Sequence, residues 1–330
     1  MDLKIWWLAL TNMPKVSRTQ WDTLDVIARW LIATRAAVFI MTLTAAWIAG
    51  LMAYQDGLFR WDRFLYVCLG LVSAHACNNL LNDRSDHKRG VDKDNAFRTQ
   101  YGTQPVEEGM MSAKQSLRWA LFTALPGVAC GIYLCLSVPA VIPFFLSGLV
   151  LVFAYNWPLK HYGLGEPTVV AVWGPLMVGG GYLAITGQWS WPVAWISIPY
   201  AIGPTVVLFG KHTDKIPWDQ VRGIRTLPVL IGSQWAKRSV LALILVQYLC
   251  IPLFIYLNYL DWWAGLCLLS LGFVMEVVKV YRTEKPTDKP DDFPDDVWPL
   301  WYSAYAFVHC RRFGMLYVLA LVISVFTQTN

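Results

Sequence analysis

Long apolar runs alternate with short charged ones along this chain. Seven runs of about twenty residues, near 36–54, 64–82, 119–138, 139–157, 167–186, 192–210 and 239–260, are each long enough to cross a hydrocarbon core as a helix. Two more, 262–281 and 313–327, are shorter or interrupted. The pattern predicts an all-α integral membrane protein of about nine transmembrane helices in a single bundle around a central cavity. Residues 1–35 carry charges throughout and lack a short apolar core followed by small residues. That segment is expected to be retained as a cytoplasmic amphipathic stretch rather than cleaved, with the membrane domain running over 36–330.

Composition sharpens this. The chain is 56% hydrophobic and 15% charged, whereas soluble domains carry about 25% charged residues. Of 27 Lys and Arg, all but Arg60 and Arg63 fall on one side when nine spans alternate. The positive-inside bias assigns that side to the cytoplasm. The net charge of +5 is therefore explained by topology and by an anionic small substrate. No basic, aromatic-interleaved soluble module points to nucleic acid. The seven cysteines lie in or beside spans without CxxC pairs, as packing residues do.

Two polar mouths carry the candidate chemistry. Asn79, Asn82, Asp83 and Asp86, within "NNLLNDRSDHKRGVDKD", stand at i, i+3, i+4 and i+7, so one helical face gathers four oxygen-bearing side chains. Carboxylates at a helix carboxyl end oppose the helix dipole and one another unless cations sit among them. Oxygen donors of this kind suit Mg²⁺, which is usually completed by water and substrate phosphates. A second unit repeats the spacing, with Asp219 four residues before Gly223 as Asp86 is before Gly90, and with an earlier Asp in each (Asp214, Asp83). Lys88, Arg89, Lys93 and Arg98 follow the first unit, and Lys211, Arg222 and Arg225 flank the second. Carboxylates with Mg²⁺ on one side and bases on the other form a diphosphate site. An apolar body beneath it suggests a substrate with a long hydrocarbon tail.

At these residues the sequence resembles the UbiA superfamily of intramembrane prenyltransferases. "NDRSDHKRGVD" resembles the family's N-D-x-x-D motif, and "DKIPWDQVRGIRTLPVLIG" its second Asp motif leading into G-x-x-T-L. Between them, "YNWPLKHYGLGEPTVVAVWGPLMVGGGYLAITG" looks like the middle segment of the menaquinone branch, which prenylates 1,4-dihydroxy-2-naphthoate. The resemblance implies that Asn82, Asp83 and Asp86 hold metal, with Asn79 beside them and Asp92 a further carboxylate. It implies that Asp214 and Asp219 form a second metal site, so that two Mg²⁺ bind. Tyr155 and Lys160 would approach the diphosphate or the acceptor, with Arg225 a basic partner. Lys88, Arg89, Lys93, Arg98 and Lys211 are further candidates for substrate binding.

The chain also departs from the pattern. "GKHTD", with Lys211 and His212, stands where the menaquinone branch shows Asn-Asn, and the second pair is spaced by five rather than four. Five residues turn a helix through about 500°, so Asp214 and Asp219 share no face unless Pro217 breaks it. The expectation is Asp214 at the span end, Asp219 in a loop and Lys211 touching phosphate directly. The activity implied is Mg²⁺-dependent transfer of a prenyl group from a prenyl diphosphate to an aromatic, quinone-precursor-like acceptor. A membrane terpene cyclase is the alternative within the same fold. A cation-coupled transporter is the alternative outside it, although transporter carboxylates usually sit near the bilayer midplane.

Overall fold

The structure is a computed structural model; it describes residues 2–90, 97, 100, 102–295 and 297–328. Three short amino-terminal helices, α1 (Leu3–Thr11), α2 (Arg18–Thr23) and α3 (Val26–Ala33), start at Asp2, Ser17 and Asp25, whose side chains accept from the first free amides. Then come α4 (Phe39–Gln55), α5 (Trp61–Lys88), α6 (Ala113–Ser137), α7 (Ile142–Ala154) and α8 (Gly165–Thr186). The carboxyl-terminal half holds α9 (Trp191–Asp214), α10 (Ile216–Val221), α11 (Leu227–Ile231), α12 (Ser233–Tyr256), α13 (Trp262–Arg282) and α14 (Tyr302–Gln328). Among the described residues there is no strand.

Eight of these helices are long and apolar enough to cross a membrane. The expected span over 139–157 is the exception: it forms the shorter helix Pro139–Ala154. Its first turn, Pro139–Val141, is 3₁₀, and Pro158 draws the chain out of the helix after Ala154. Among the described residues the regular structure is all-helical, with eight helices able to span and a ninth, shorter apolar one.

The main core is the seam where α9 packs on α14, α12 and α8. Small residues bring these helices close. A Cβ on Gly174 would stand 3.1 Å from Ser197 Oγ and 3.2 Å from Ala201 Cβ. Gly174 also leaves helical geometry just before Pro175, so α8 carries a widened turn at Val172–Gly179. A Cβ on Gly210 would be 2.8 Å from Ser303 Cα, so only glycine lets α9 meet the start of α14. A second core joins Trp21, Leu31 and Ile32 of the amino-terminal segment to Ala76, Cys77 and Leu80 of α5 and Ala120 of α6. The seven cysteines are free thiols.

Candidate active site

The last two turns of α5 build the site. Asn79, Asn82, Asp83 and Asp86 are all buried although they belong to the polar end of the helix, because the amino-terminal segment and the segment after α7 fold over them. Asn79 donates to the Thr34 carbonyl at 2.8 Å. The next residue, Arg35, has the left-handed φ of 54° that few non-glycine residues adopt, and its guanidinium donates to Asp83 Oδ1. On the other flank, Lys160 donates to Asp86 Oδ2 at 3.0 Å and Oδ1 at 3.2 Å, and reaches Asn82 Oδ1 at 3.5 Å. Asn82 in turn donates to Asp86 at 3.1 Å.

Tyr155 lies in the field of both Asp86 and Glu166. His161 senses Asp86 and Asp219 together, so this segment lies within electrostatic reach of both acidic units. Burial, aided by Lys160 and Arg89, pushes the His161 imidazole down to about 4, against the opposing pull of Asp86 and Asp219.

The two Asp of the second unit part company. The helix breaks as Pro217 requires, α9 ending at Asp214 and α10 starting at Ile216. Asp219, however, lies on α10 and is 1% exposed, not in a loop. A proline in the first turn initiates a helix as readily as it ends one, since its missing N–H is unneeded there. Asp219 Oδ1 is 3.3 Å from the buried Lys215 ammonium. Asp214 turns the opposite way. Its Oδ1 accepts from the amides of Trp301 and Tyr302 at 3.2 and 3.0 Å, and its Oδ2 accepts from the Ser303 amide and hydroxyl at 3.0 and 2.9 Å. It is the cap of α14, supplied from another helix. Lys285 Nζ stands 3.8 Å away.

The repeated Asp–x–x–x–Gly spacing has a structural meaning. Gly90 and Gly223 take φ of +65° and +66° just past the ends of α5 and α10, the left-handed stop common at helix carboxyl ends. Each places an Asp one turn before the stop.

Of the other sequence candidates, Lys211 is half-buried on α9, and Lys88, Arg89 and Arg225 are exposed. The Arg89 guanidinium lies 4.0 Å above the Trp157 ring. Asp92, Lys93 and Arg98 lie outside the described residues. Sequence reasoning passed over Arg35, Lys215 and the fully buried pair in which His212 Nδ1 donates to Glu166 Oε1 at 2.7 Å. A glutamate inside the apolar "GLGEP" stretch was the available signal for the last.

Asn82, Asp83 and Asp86 offer hard oxygen atoms on one buried face, which fits a divalent ion. Among the described residues no three His, Cys, Asp or Glu side chains gather into a complete metal-binding group, so phosphate oxygens and water would have to complete the shell. An apolar cavity of about 740 Å³, bounded by α5, α6, α7 and α8, is separate from this site. Its α5 lining includes Gly70, Ala74 and Cys77, each nine residues before Asn79, Asp83 or Asp86, hence about half a turn round the helix.

Residues 39–293 match the model of the UbiA prenyltransferase family. The chain belongs to that family. The "UbiA prenyltransferase domain-containing protein 1 homolog" of Drosophila melanogaster is 23% identical over 287 residues, covering 84% of this chain and 76% of that one. The rat UbiA prenyltransferase domain-containing protein 1 is 25% identical over 231 residues, covering 67% and 66%. Among solved structures, one described as giving "insights into the biosynthesis of Digeranylgeranylglyceryl phosphate synthase in membranes" superposes with a TM-score of 0.59 at 13% identity, over 90% of this chain and 98% of the other. A UbiA homolog from Archaeoglobus fulgidus bound to GPP and Mg²⁺ gives 0.51 at 14% identity, over 84% and 99%. This chain shares its fold with those solved structures and is an integral, multi-pass membrane protein.

Proposed function

We propose that this protein transfers an isoprenyl group from a prenyl diphosphate to an aromatic acceptor of the quinone-precursor kind, releasing diphosphate, with Mg²⁺ as cofactor and its polar mouths on the cytoplasmic side. The observation that carries the reading is the buried face of Asn82, Asp83 and Asp86 flanked by Arg35 and Lys160. Burying that many charges is expensive unless each is matched, and matched charge around an anionic substrate is what a diphosphate site requires. Bound there, a divalent ion would draw charge off the departing diphosphate. Lys160 and Arg35 hold two positive charges where phosphate oxygens would lie, and Arg89, Lys88 and Arg225 draw the anion to the mouth. One turn deeper on α5, His75 meets the rings of Phe39 and Trp173 at 5.6 and 5.7 Å. Aromatic faces at that depth stabilise the positive charge that develops on the allylic carbon as the C–O bond breaks.

Support for the donor comes also from the relative solved with GPP and Mg²⁺. Support for a quinone-precursor acceptor comes from the likeness of the Tyr155–Gly187 segment to the menaquinone branch. Membership of a prenyltransferase family weighs against transport. The test is release of diphosphate by purified protein given geranylgeranyl diphosphate and 1,4-dihydroxy-2-naphthoate. Release that depends on Mg²⁺ and stops in excess chelator supports the reading; release undiminished by chelator contradicts it.

A further inference from the structure

The second acidic unit does not fit a metal ion as the first does. Asp214 has both oxygens engaged by three backbone amides and a hydroxyl of α14, leaving it committed to holding two helices together. The four-residue spacing that the resemblance leads one to expect before Asp219 falls on Lys215. Lys215 and Asp219 are i and i+4 across the α9–α10 break, both buried, with the ammonium 3.3 Å from Oδ1. That oxygen accepts no directed hydrogen bond, so its charge is balanced by Lys215 through proximity alone. A divalent ion on the same oxygen would stand against a fixed positive charge with no second carboxylate to offset it. Arg35 and Lys160 pair with the first unit as well, but that face keeps two carboxylates and the Asn82 amide for an ion to draw on, whereas here a single carboxylate meets a single ammonium.

We infer that Lys215 replaces the second metal ion, so that the diphosphate is held by one divalent ion on the Asn82/Asp83/Asp86 face and by the Lys215 ammonium, steadied by Asp219, of the second unit. This rests on the prenyl diphosphate reading and refines it. An ammonium supplies a point charge and rotatable donors to phosphate without demanding octahedral ligands, which suits a unit reduced to a single available carboxylate. Lys160 adds an ammonium beside the ion-binding face through Asp86, and His161 lies within electrostatic reach of both Asp86 and Asp219.

The experiment counts ions rather than turnovers. Full-length protein in detergent is titrated with Mn²⁺ in the presence of inorganic diphosphate, free Mn²⁺ being read by electron paramagnetic resonance. One Mn²⁺ per chain is expected for the parent, two for Lys215→Asp, and none for Asp83→Asn. Lys215→Gln, which keeps size and polarity, is expected to hold one Mn²⁺ while weakening diphosphate binding about tenfold. Two Mn²⁺ on the parent with diphosphate retained overturns the inference and leaves the prenyl diphosphate reading standing, as does unchanged diphosphate affinity in Lys215→Gln. A parent that retains neither Mn²⁺ nor diphosphate overturns both. Should Lys215→Asp fail to fold, the parent count and Lys215→Gln decide the matter.

Discussion

Lys160 Nζ lies 3.0 Å from Asp86 Oδ2, and both side chains are buried. They come from different segments, 74 residues apart in sequence, and their pairing ties the end of α5 to the turn after α7. Breaking a buried pair by removing one member leaves an uncompensated charge and costs about 3–5 kcal/mol. Lys160→Met should therefore lower stability by roughly that amount, measured by chemical unfolding in detergent. Asp86→Asn combined with Lys160→Met should recover most of the loss, since both charges then go, while transferring no prenyl group. A double variant no more stable than Lys160→Met would show that the two charges are not coupled.

Asp214 is expected to behave as a cap. Asp214→Ala removes the acceptor for three amides and a hydroxyl at the start of α14, and should destabilise by about 2 kcal/mol or more, at the upper end for caps. Asp214→Asn keeps a carbonyl acceptor and should lose less. Per folded molecule, Asp214→Asn should remain within about tenfold of the parent in turnover, ~1.4 kcal/mol of barrier. Complete loss of activity in well-folded Asp214→Asn would mean that Asp214 touches substrate or ion instead.

His161 gives a pH signature. Its pKa falls from the ordinary 6.5 to about 4 in the folded protein, so folding favours the neutral ring. Above pH about 6.5 both states are neutral there and the contribution is complete. Below it the unfolded chain binds a proton that the folded protein refuses, and stability is lost as pH falls from about 6.5 to about 4. His161→Gln should flatten the stability profile across that window; an unchanged slope would show that His161 titrates normally.

Sidedness follows from the charge bias. Arg225 is exposed beyond α10, and Arg225→Cys should react with a membrane-impermeant maleimide only after the cytoplasmic side is opened. Labelling in intact cells would invert the topology.

The helix face of Asn79, Asn82, Asp83 and Asp86 was legible because it is local: four residues within two turns, with a period that fixes which way they point. The break at Pro217 was legible for the same reason. Partners were not. Arg35 meets Asp83 across 48 residues, and within the sequence it is one more base at a span end, indistinguishable from those that set topology. Asp214 read as one of an acidic pair, because nothing near it in sequence announces that the amides of residues 301–303 will arrive beside it. Gly210 holds the clue, being small where α14 closes in, but an isolated glycine in an apolar run has many causes. The short helix 139–154 read as a full span because apolar length alone does not reveal where Pro158 ends it.

The measurement that bears most directly on the central claim is mass analysis of the product. Purified protein is incubated with Mg²⁺, geranylgeranyl diphosphate and a panel of aromatic acceptors, with Asp83→Ala alongside. The expected product is an adduct whose mass equals acceptor plus prenyl group less one proton or a displaced carboxylate, with one diphosphate per adduct and no adduct from Asp83→Ala, for a loss of at least two orders of magnitude, ~3 kcal/mol or more. Cyclic hydrocarbon or alcohol formed equally well without any acceptor would contradict it.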